Sequence, residues 1–177
     1  PRAQIAMPLL GATLAAPLGV AAGPHTQLAQ NIVAAWLCGA RFMELKTVQV
    51  MDEIHVPRPC IDVLDEGYNC EWSQELRIDE SFREYLNAWV LIHALAGRLG
   101  LAGPGTLFAM SVGYDLAGVQ SAKVRRFLGA MRDAGPALEA AVDRVAAVYP
   151  RVRDVEIPRQ LSNHVTLSTM HGCPPAE

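Results

Sequence analysis

Residues 42–48, Phe-Met-Glu-Leu-Lys-Thr-Val (FMELKTV), form a short apolar run that carries a lysine. Three similar runs occur along the chain, at Pro17 to Ala22 (PLGVAA), Leu107 to Gly113 (LFAMSVG) and His164 to Thr169 (HVTLST). Short apolar runs that alternate with helical patterns are typical of βαβ units and a parallel sheet. We therefore predict an α/β fold, the first half of a (β/α)8 barrel, with parallel strands near 17–22, 42–48, 107–113 and 164–169.

Apolar side chains at helical spacing predict the helices between these runs. The first stripe follows Pro24 and contains Leu28, Ile32, Trp36 and Leu37. The second contains Phe82, Tyr85, Leu86, Trp89 and His93. The third contains Val124, Phe127, Leu128 and Met131, and residues 136–149 form a fourth helix.

Capping signals set the expected ends of these helices. Ser81 and Glu84 have the spacing of a capping box, which predicts that the second helix begins at Ser81. Gly97 or Gly100 would end this helix, and Gly135 would end the third.

The ends of the first two strands carry small and charged residues. Right-handed crossovers bring the C-terminal ends of all parallel strands to one face, which carries the site in barrels and open α/β sheets. The turn Ala21-Ala22-Gly23 would let a flat ligand approach the backbone, although a plain tight turn explains it as well. Alternation places Glu44 and Lys46 on one face, where Lys46 could stabilise an electron-rich ring or form a structural ion pair with Glu44.

The other two strand ends carry hydroxyl groups. Ser111 lies near the end of the third run, and Thr166, Ser168 and Thr169 lie near the end of the fourth. His171 and Cys173 follow directly. A cysteine near a histidine could act as an acid, base or nucleophile. It could equally bind iron or zinc, or be an ordinary loop residue.

Residues 49–79 show no clear period, which is typical of a functional loop or lid. Asn69 and Trp72 in this segment could hold and cover a planar ligand with amide groups. Cys60 and Cys70 lack a second cysteine pair, so we predict no metal site there.

Composition excludes several classes of protein. The chain has 177 residues and a formal net charge of −3, and no run of basic residues indicates a nucleic-acid partner. Its four cysteines form no CxxC motif, which favours reduced thiols and a cytoplasmic location. Proline and glycine interrupt the apolar residues 5–22, so we expect a strand and its approach loop rather than a membrane span or a secretory signal. The chain begins at Pro1 rather than at a methionine and stops at Pro175-Ala176-Glu177, where a helix would start. We therefore expect residues 1–177 to be a partial barrel domain of a longer multidomain protein.

Two motifs resemble those of the dihydroorotate dehydrogenase superfamily. APLGVAAG at 16–23 resembles its first strand, whose turn lies against FMN, and GARFMELKTV at 39–48 resembles its second strand, whose Lys-Thr or Lys-Ser pair reaches the flavin. HVTLSTMHGCPP at 164–175 resembles more loosely the Asn-Leu-Ser-Cys-Pro strand end that supplies the catalytic cysteine. This chain lacks that asparagine, and Cys173 lies further along than in the family.

A closer resemblance covers nearly the whole chain. GPHTQLAQNIV, ELKTVQ, PCID, MSVGY and TLSTMHGCPP are similar to the N-terminal region of large bacterial flavo-iron-sulfur proteins known as selenate reductase subunits. The resemblance implies a barrel that binds FMN, with FAD, NAD(P)H and 4Fe-4S clusters bound elsewhere in the full-length protein. Electrons would pass from NAD(P)H toward the barrel, as in dihydropyrimidine dehydrogenase.

The resemblance also implies roles for individual residues. Ala21, Ala22 and Gly23 would pack on the flavin ring, while Lys46 and Thr47 would bond its polar edge. The remaining implied residues are Ser111, Thr166 and Ser168 for the cofactor, Asn69 and His171 for the substrate, and Cys173 with Lys46 for catalysis. The implied substrate is a small heterocycle or an oxyanion, and the implied partners are the remaining half-barrel and electron-transfer modules of the same protein.

Two alternative functions are compatible with the same residues. Lys46 on a barrel strand could form a Schiff base, as in a (β/α)8 lyase. The domain could also be a non-catalytic scaffold that docks electron-transfer modules.

Overall fold

The computed structural model describes residues 6–50, 61–62, 68–69, 76–113 and 115–168. The strands are β1 (Met7–Leu9), β2 (Ala12–Leu14), β3 (Gly19–Val20), β4 (Phe42–Glu44), β5 (Ile61–Asp62), β6 (Tyr68–Asn69), β7 (Leu107–Gly113) and β8 (Val165–Ser168). The α-helices are α1 (Ala29–Leu37), α2 (Ile78–Arg98), α3 (Leu116–Val119), α4 (Ala122–Arg132) and α5 (Gly135–Ala146). Two 3₁₀ helices cover Pro24–Thr26 and Pro150–Asp154.

Four strands form one parallel sheet in the order β3-β4-β7-β8. Each strand therefore lies beside the next sheet strand in the sequence, as in the first half of a (β/α)8 barrel. Phe42 is opposite Leu107, and Met110 is opposite Val165. The predicted α/β class is confirmed, and β7 has the predicted bounds. The other three strands lie within the predicted ranges but are shorter.

Helix α2 packs along the sheet and supplies much of the core. Its residues Tyr85 and Leu86 are buried, and the Trp89 ring lies 5.0 Å from the ring of Phe108 on β7 in an edge-on contact. The indole nitrogen of Trp89 donates to the carbonyl oxygen of Pro158 at 3.0 Å, so this large apolar side chain keeps its polar group satisfied. Burial of each such side chain contributes about 1.5–3 kcal/mol to folding.

The predicted start of the second helix is wrong. Helix α2 begins at Ile78, and the Glu80 carboxylate accepts from the backbone nitrogen of Arg77 at 2.8 Å. Ser81 is buried inside the first turn. Glu84, the presumed partner of Ser81, instead accepts from the backbone nitrogen of Ala29 at 2.7 Å and so caps α1.

The ends of the other helices also differ in part from the predictions. Leu37 is 58% exposed and does not belong to the buried stripe of α1. Gly100, with φ +70°, follows the end of α2 as predicted, because its left-handed conformation suits a helix C-terminus. Gly135 does not end α4, which stops at Arg132, but is the first residue of α5.

Two short antiparallel pairs accompany the parallel sheet, β1 with β2 and β5 with β6. The backbone nitrogen of Ala15, just after β2, donates to the carbonyl oxygen of Gly105 at 3.0 Å, which ties the first pair to the N-terminal end of β7. The second pair lies within the segment that the sequence left without a period. Within the described ranges, no helix combines the length and the apolar character that crossing a membrane requires.

Candidate active site

The turn after β3 is held by its own side chains. The Gly23 backbone nitrogen donates to the Thr26 hydroxyl at 3.2 Å, and this hydroxyl donates back to the Gly23 carbonyl at 3.1 Å. The His25 ring nitrogen Nε2 lies 2.9 Å from the carbonyl oxygen of Ala21. The turn is therefore preorganised, with Ala21 exposed and Ala22 partly buried.

Gly23 leaves space for a neighbouring side chain, which the sequence did not reveal. A Cβ at this position would lie 2.6 Å from Cε1 of His25. The φ of Gly23 is 176°, an extended value that any residue adopts, so the requirement is steric rather than conformational. The space that glycine leaves is used by the His25 ring.

The end of β4 contains a bulge. Glu44 is opposite Ala109, whereas Val48 is opposite Val112, so four steps along this strand match three along β7. The extra residue interrupts the regular alternation of side chains between 44 and 48, and bulges of this kind re-aim side chains beside functional sites. The alternation is therefore not continuous from 44 to 48, and the shared face of Glu44 and Lys46 stays a prediction.

Lys46 lies inside the bulge, and its backbone is fixed from two sides. Its nitrogen donates to the carbonyl oxygen of Thr26 at 3.3 Å, and its own carbonyl oxygen accepts from the Tyr85 hydroxyl at 2.8 Å. Burial raises the pKa of Tyr85 far above its ordinary value, so the hydroxyl stays protonated and remains a donor. The lysine itself is only 2% exposed.

Three hydroxyl side chains lie on neighbouring strand ends, and we call Thr47, Ser111 and Thr166 the hydroxyl row. The Thr47 and Ser111 oxygens are 2.9 Å apart, and Ser111 is opposite Thr166 in the pairing of β7 with β8. Cross-strand partners point to the same side of a sheet, so the row extends from the bulge to the edge strand. Ser111 is buried and Thr166 is exposed.

The Glu44 carboxylate joins the first two strand ends. It accepts from the backbone nitrogen of Ala22 at 3.2 Å. The structure therefore brings together the first turn, Lys46 with Thr47, and Ser111 with Thr166, at one end of the sheet. Such a set offers a cation and hydroxyl groups beside small side chains, which suits the polar edge of a planar ligand.

Several predicted site residues are not placed by the structure. Thr169, His171 and Cys173 lie outside the described residues, as do Cys60, Cys70 and Trp72. Ser168 and Asn69 belong to β8 and β6, but their side chains are also outside the described part. Asn69 is opposite Ile61 in the β5–β6 pair.

The sequence missed the residues that position the site. Thr26 had no apparent role, although a hydroxyl three residues after a turn glycine is a known local hydrogen-bonding pattern. Tyr85 was predicted only as part of an apolar stripe, because periodicity reveals a buried face but not the partner of a hydroxyl group.

The comparisons with known proteins agree on one family. Residues 1–177 match the family model described as "Oxidoreductase YgfK, N-terminal TIM-barrel domain". A protein of Escherichia coli K12 named "Putative oxidoreductase YgfK" is 40% identical over 190 residues, which cover 96% of this chain and 18% of that protein. A protein of the same name from Escherichia coli O157:H7 shows the same identity and coverage. The chain thus spans less than a fifth of the length of these relatives, and their names do not include the selenate reductase designation that the motifs suggested.

Proposed function

The chain belongs to the family of N-terminal TIM-barrel domains of oxidoreductase YgfK, and from this premise we propose that it forms the flavin-contacting half of a flavin-dependent oxidoreductase. One observation carries the proposal: buried Lys46 directly precedes Thr47, and the hydroxyl row that begins with Thr47 lies at the C-terminal end of the parallel sheet. This end of the sheet is where barrel enzymes carry their sites.

The residues present fit the isoalloxazine ring of FMN. The ring has a polar edge of carbonyl oxygens and nitrogens, for which Thr47 and Ser111 supply hydroxyl groups and Lys46 supplies a cation. Ala21 and Ala22 at the end of β3 carry only methyl groups, so a flat ring that reached this turn would meet little steric resistance. The His25 ring already fills the space beside Gly23, so contact with the flavin at Gly23 would be made by its backbone.

The bound flavin would supply the redox chemistry, by accepting or giving a hydride. The chain's own contribution is orientation and charge. Tyr85 and Thr26 fix the backbone of Lys46, so the point from which its side chain starts is set before a ligand binds. A cation held at the polar edge favours negative charge on a ring bound there.

Substrate and partners follow from the same proposal. We assign substrate binding to Asn69 and His171 and proton movement to Cys173, with a small heterocycle or an oxyanion as substrate. The remaining strands of the barrel would complete the FMN site. NAD(P)H, FAD and iron–sulfur clusters elsewhere in a longer cytoplasmic protein would deliver electrons.

Absorbance spectroscopy of the purified full-length protein tests the proposal. We expect flavin bands and tightly bound FMN released on denaturation, and bleaching of these bands by NADH or NADPH under anaerobic conditions. Lys46→Met should weaken FMN binding more than Lys46→Arg, which keeps the positive charge. A full-length protein that neither contains nor binds FMN would contradict the proposal.

Borohydride treatment separates the Schiff-base alternative. Reduction in the presence of a carbonyl substrate would add mass at Lys46 in a lyase, whereas we expect no such adduct. Flavin that binds but is not reduced by NADH or NADPH would favour the scaffold instead.

A further inference from the structure

Gln27 is a buried side chain whose amide is not satisfied. The residue is 3% exposed, and among the described residues its Nε2 has no hydrogen-bond partner. Native proteins pair the large majority of buried polar groups, because an unmade hydrogen bond carries the full desolvation penalty. An unpaired amide group that persists in a folded site therefore indicates a missing acceptor.

Gln27 lies next to the residue that holds the backbone of Lys46. Gln27 directly follows Thr26, whose carbonyl oxygen accepts from the backbone nitrogen of Lys46. Its own backbone nitrogen donates to Pro24 at 3.3 Å, which closes the 3₁₀ helix after the first turn. Gln27 thus starts from the junction of the two strand ends that carry the proposed flavin contacts.

We propose that Gln27 is a further flavin-binding residue, whose Nε2 donates a hydrogen bond to a carbonyl oxygen of the isoalloxazine ring. This inference rests on the function proposed above. An amide Nε2 is a donor only, and the ring oxygens are acceptors, so the pairing satisfies both groups. A neutral amide also adds a donor without placing a second cation at the site.

Gln27→Leu in the full-length protein tests the inference. Leucine is similar in size to glutamine and lacks the unpaired donor. FMN affinity, measured by fluorescence quenching of added FMN, should fall about tenfold, equivalent to about 1.4 kcal/mol. The thermal midpoint of the flavin-free protein should stay the same or rise, because the variant no longer buries an unsatisfied group.

Gln30→Leu is the matched control, because it is the same substitution at an exposed residue of α1. It should leave FMN affinity unchanged. Unchanged affinity in Gln27→Leu would overturn the inference while leaving the proposed function intact. A lower thermal midpoint of flavin-free Gln27→Leu with normal affinity would also overturn it, since the amide would then have a partner within the protein. Absence of FMN binding by the unmodified protein would instead refute the proposed function and the inference with it.

Discussion

The hydroxyl of Tyr85 donates a 2.8 Å hydrogen bond to the carbonyl oxygen of Lys46. This bond joins the first half of α2 to the bulge at the end of β4. Both groups are buried, so neither can exchange its partner for bulk water at low cost. The position of a lysine at the strand ends is thereby set by a helix that packs on the sheet.

Tyr85→Phe removes the hydroxyl group, and this bond with it, and keeps the aromatic ring. The carbonyl of Lys46 then loses its donor, and we expect a loss of about 1–2 kcal/mol in local stability, because a buried acceptor is left unsatisfied. Hydrogen exchange of the full-length protein should show faster exchange in residues 44–48. FMN affinity should also fall, since Lys46 is less well positioned. Unchanged exchange in 44–48 would contradict the role assigned to Tyr85, and Tyr149→Phe, at a partly buried tyrosine after α5, is the control.

The hydroxyl row predicts a coupled pair of substitutions. Thr47→Val leaves the buried Ser111 hydroxyl without its 2.9 Å partner, and Ser111→Ala does the converse. Each single change should cost about 1 kcal/mol, while the double change should cost about 0.5–1.5 kcal/mol less than their sum. A double-mutant cycle on the thermal midpoint of the full-length protein measures this coupling. Additive effects would show that the two hydroxyl groups do not interact energetically.

The architecture was predictable because it depends on repeating patterns. The run 107–113 is flanked by turn residues and forms β7 with the predicted bounds, and Ile32 and Trp36 are buried as the stripe of α1 requires. The prediction for Leu37 was wrong, because Leu37 is the last residue of α1 and lies about 100° around the helix from the buried Trp36. Periodicity specifies a face, but it does not specify where that face ceases to have a neighbour.

The site was predictable only in part, because its geometry depends on contacts between distant residues. Lys46 and Ser111 were identified by their place at strand ends. The bulge was not predicted, because a bulge is a difference in register between two strands and cannot be read from the sequence of one strand alone. The predicted capping box of Ser81 and Glu84 was wrong for a similar reason. Glu84 caps α1 through the backbone nitrogen of Ala29, which is 55 residues away in the sequence.

Substitution of Gly23 tests whether a side chain at this position is opposed by a steric clash or by backbone strain. Gly23→Ala should destabilise the turn by about 0.5–1.5 kcal/mol, because the new Cβ pushes the exposed His25 ring from its position, while the extended φ adds no backbone strain. The double variant Gly23→Ala with His25→Ala should recover most of this loss. Hydrogen exchange at residues 21–27 of the full-length protein is the measurement. Failure of His25→Ala to rescue would show that something other than the ring excludes a side chain at position 23.

His93 predicts how stability depends on pH. The side chain is 5% exposed, and burial lowers its pKa, an effect that the hydrogen bond between Nδ1 and the carbonyl oxygen of Trp89 opposes only in part. Below the ordinary histidine pKa of about 6.5, the unfolded chain therefore binds more protons at this site than the folded chain, and the free energy of unfolding falls as the pH decreases. The contribution is at most about 1.4 kcal/mol per pH unit.

His93→Gln removes the titration, so its thermal midpoint should fall less steeply than that of the unmodified protein between about pH 7 and about pH 5. His25→Gln, the same substitution at an exposed histidine, serves as the control. Parallel pH profiles for His93→Gln and the unmodified protein would show that His93 is not the group that destabilises the fold in acid.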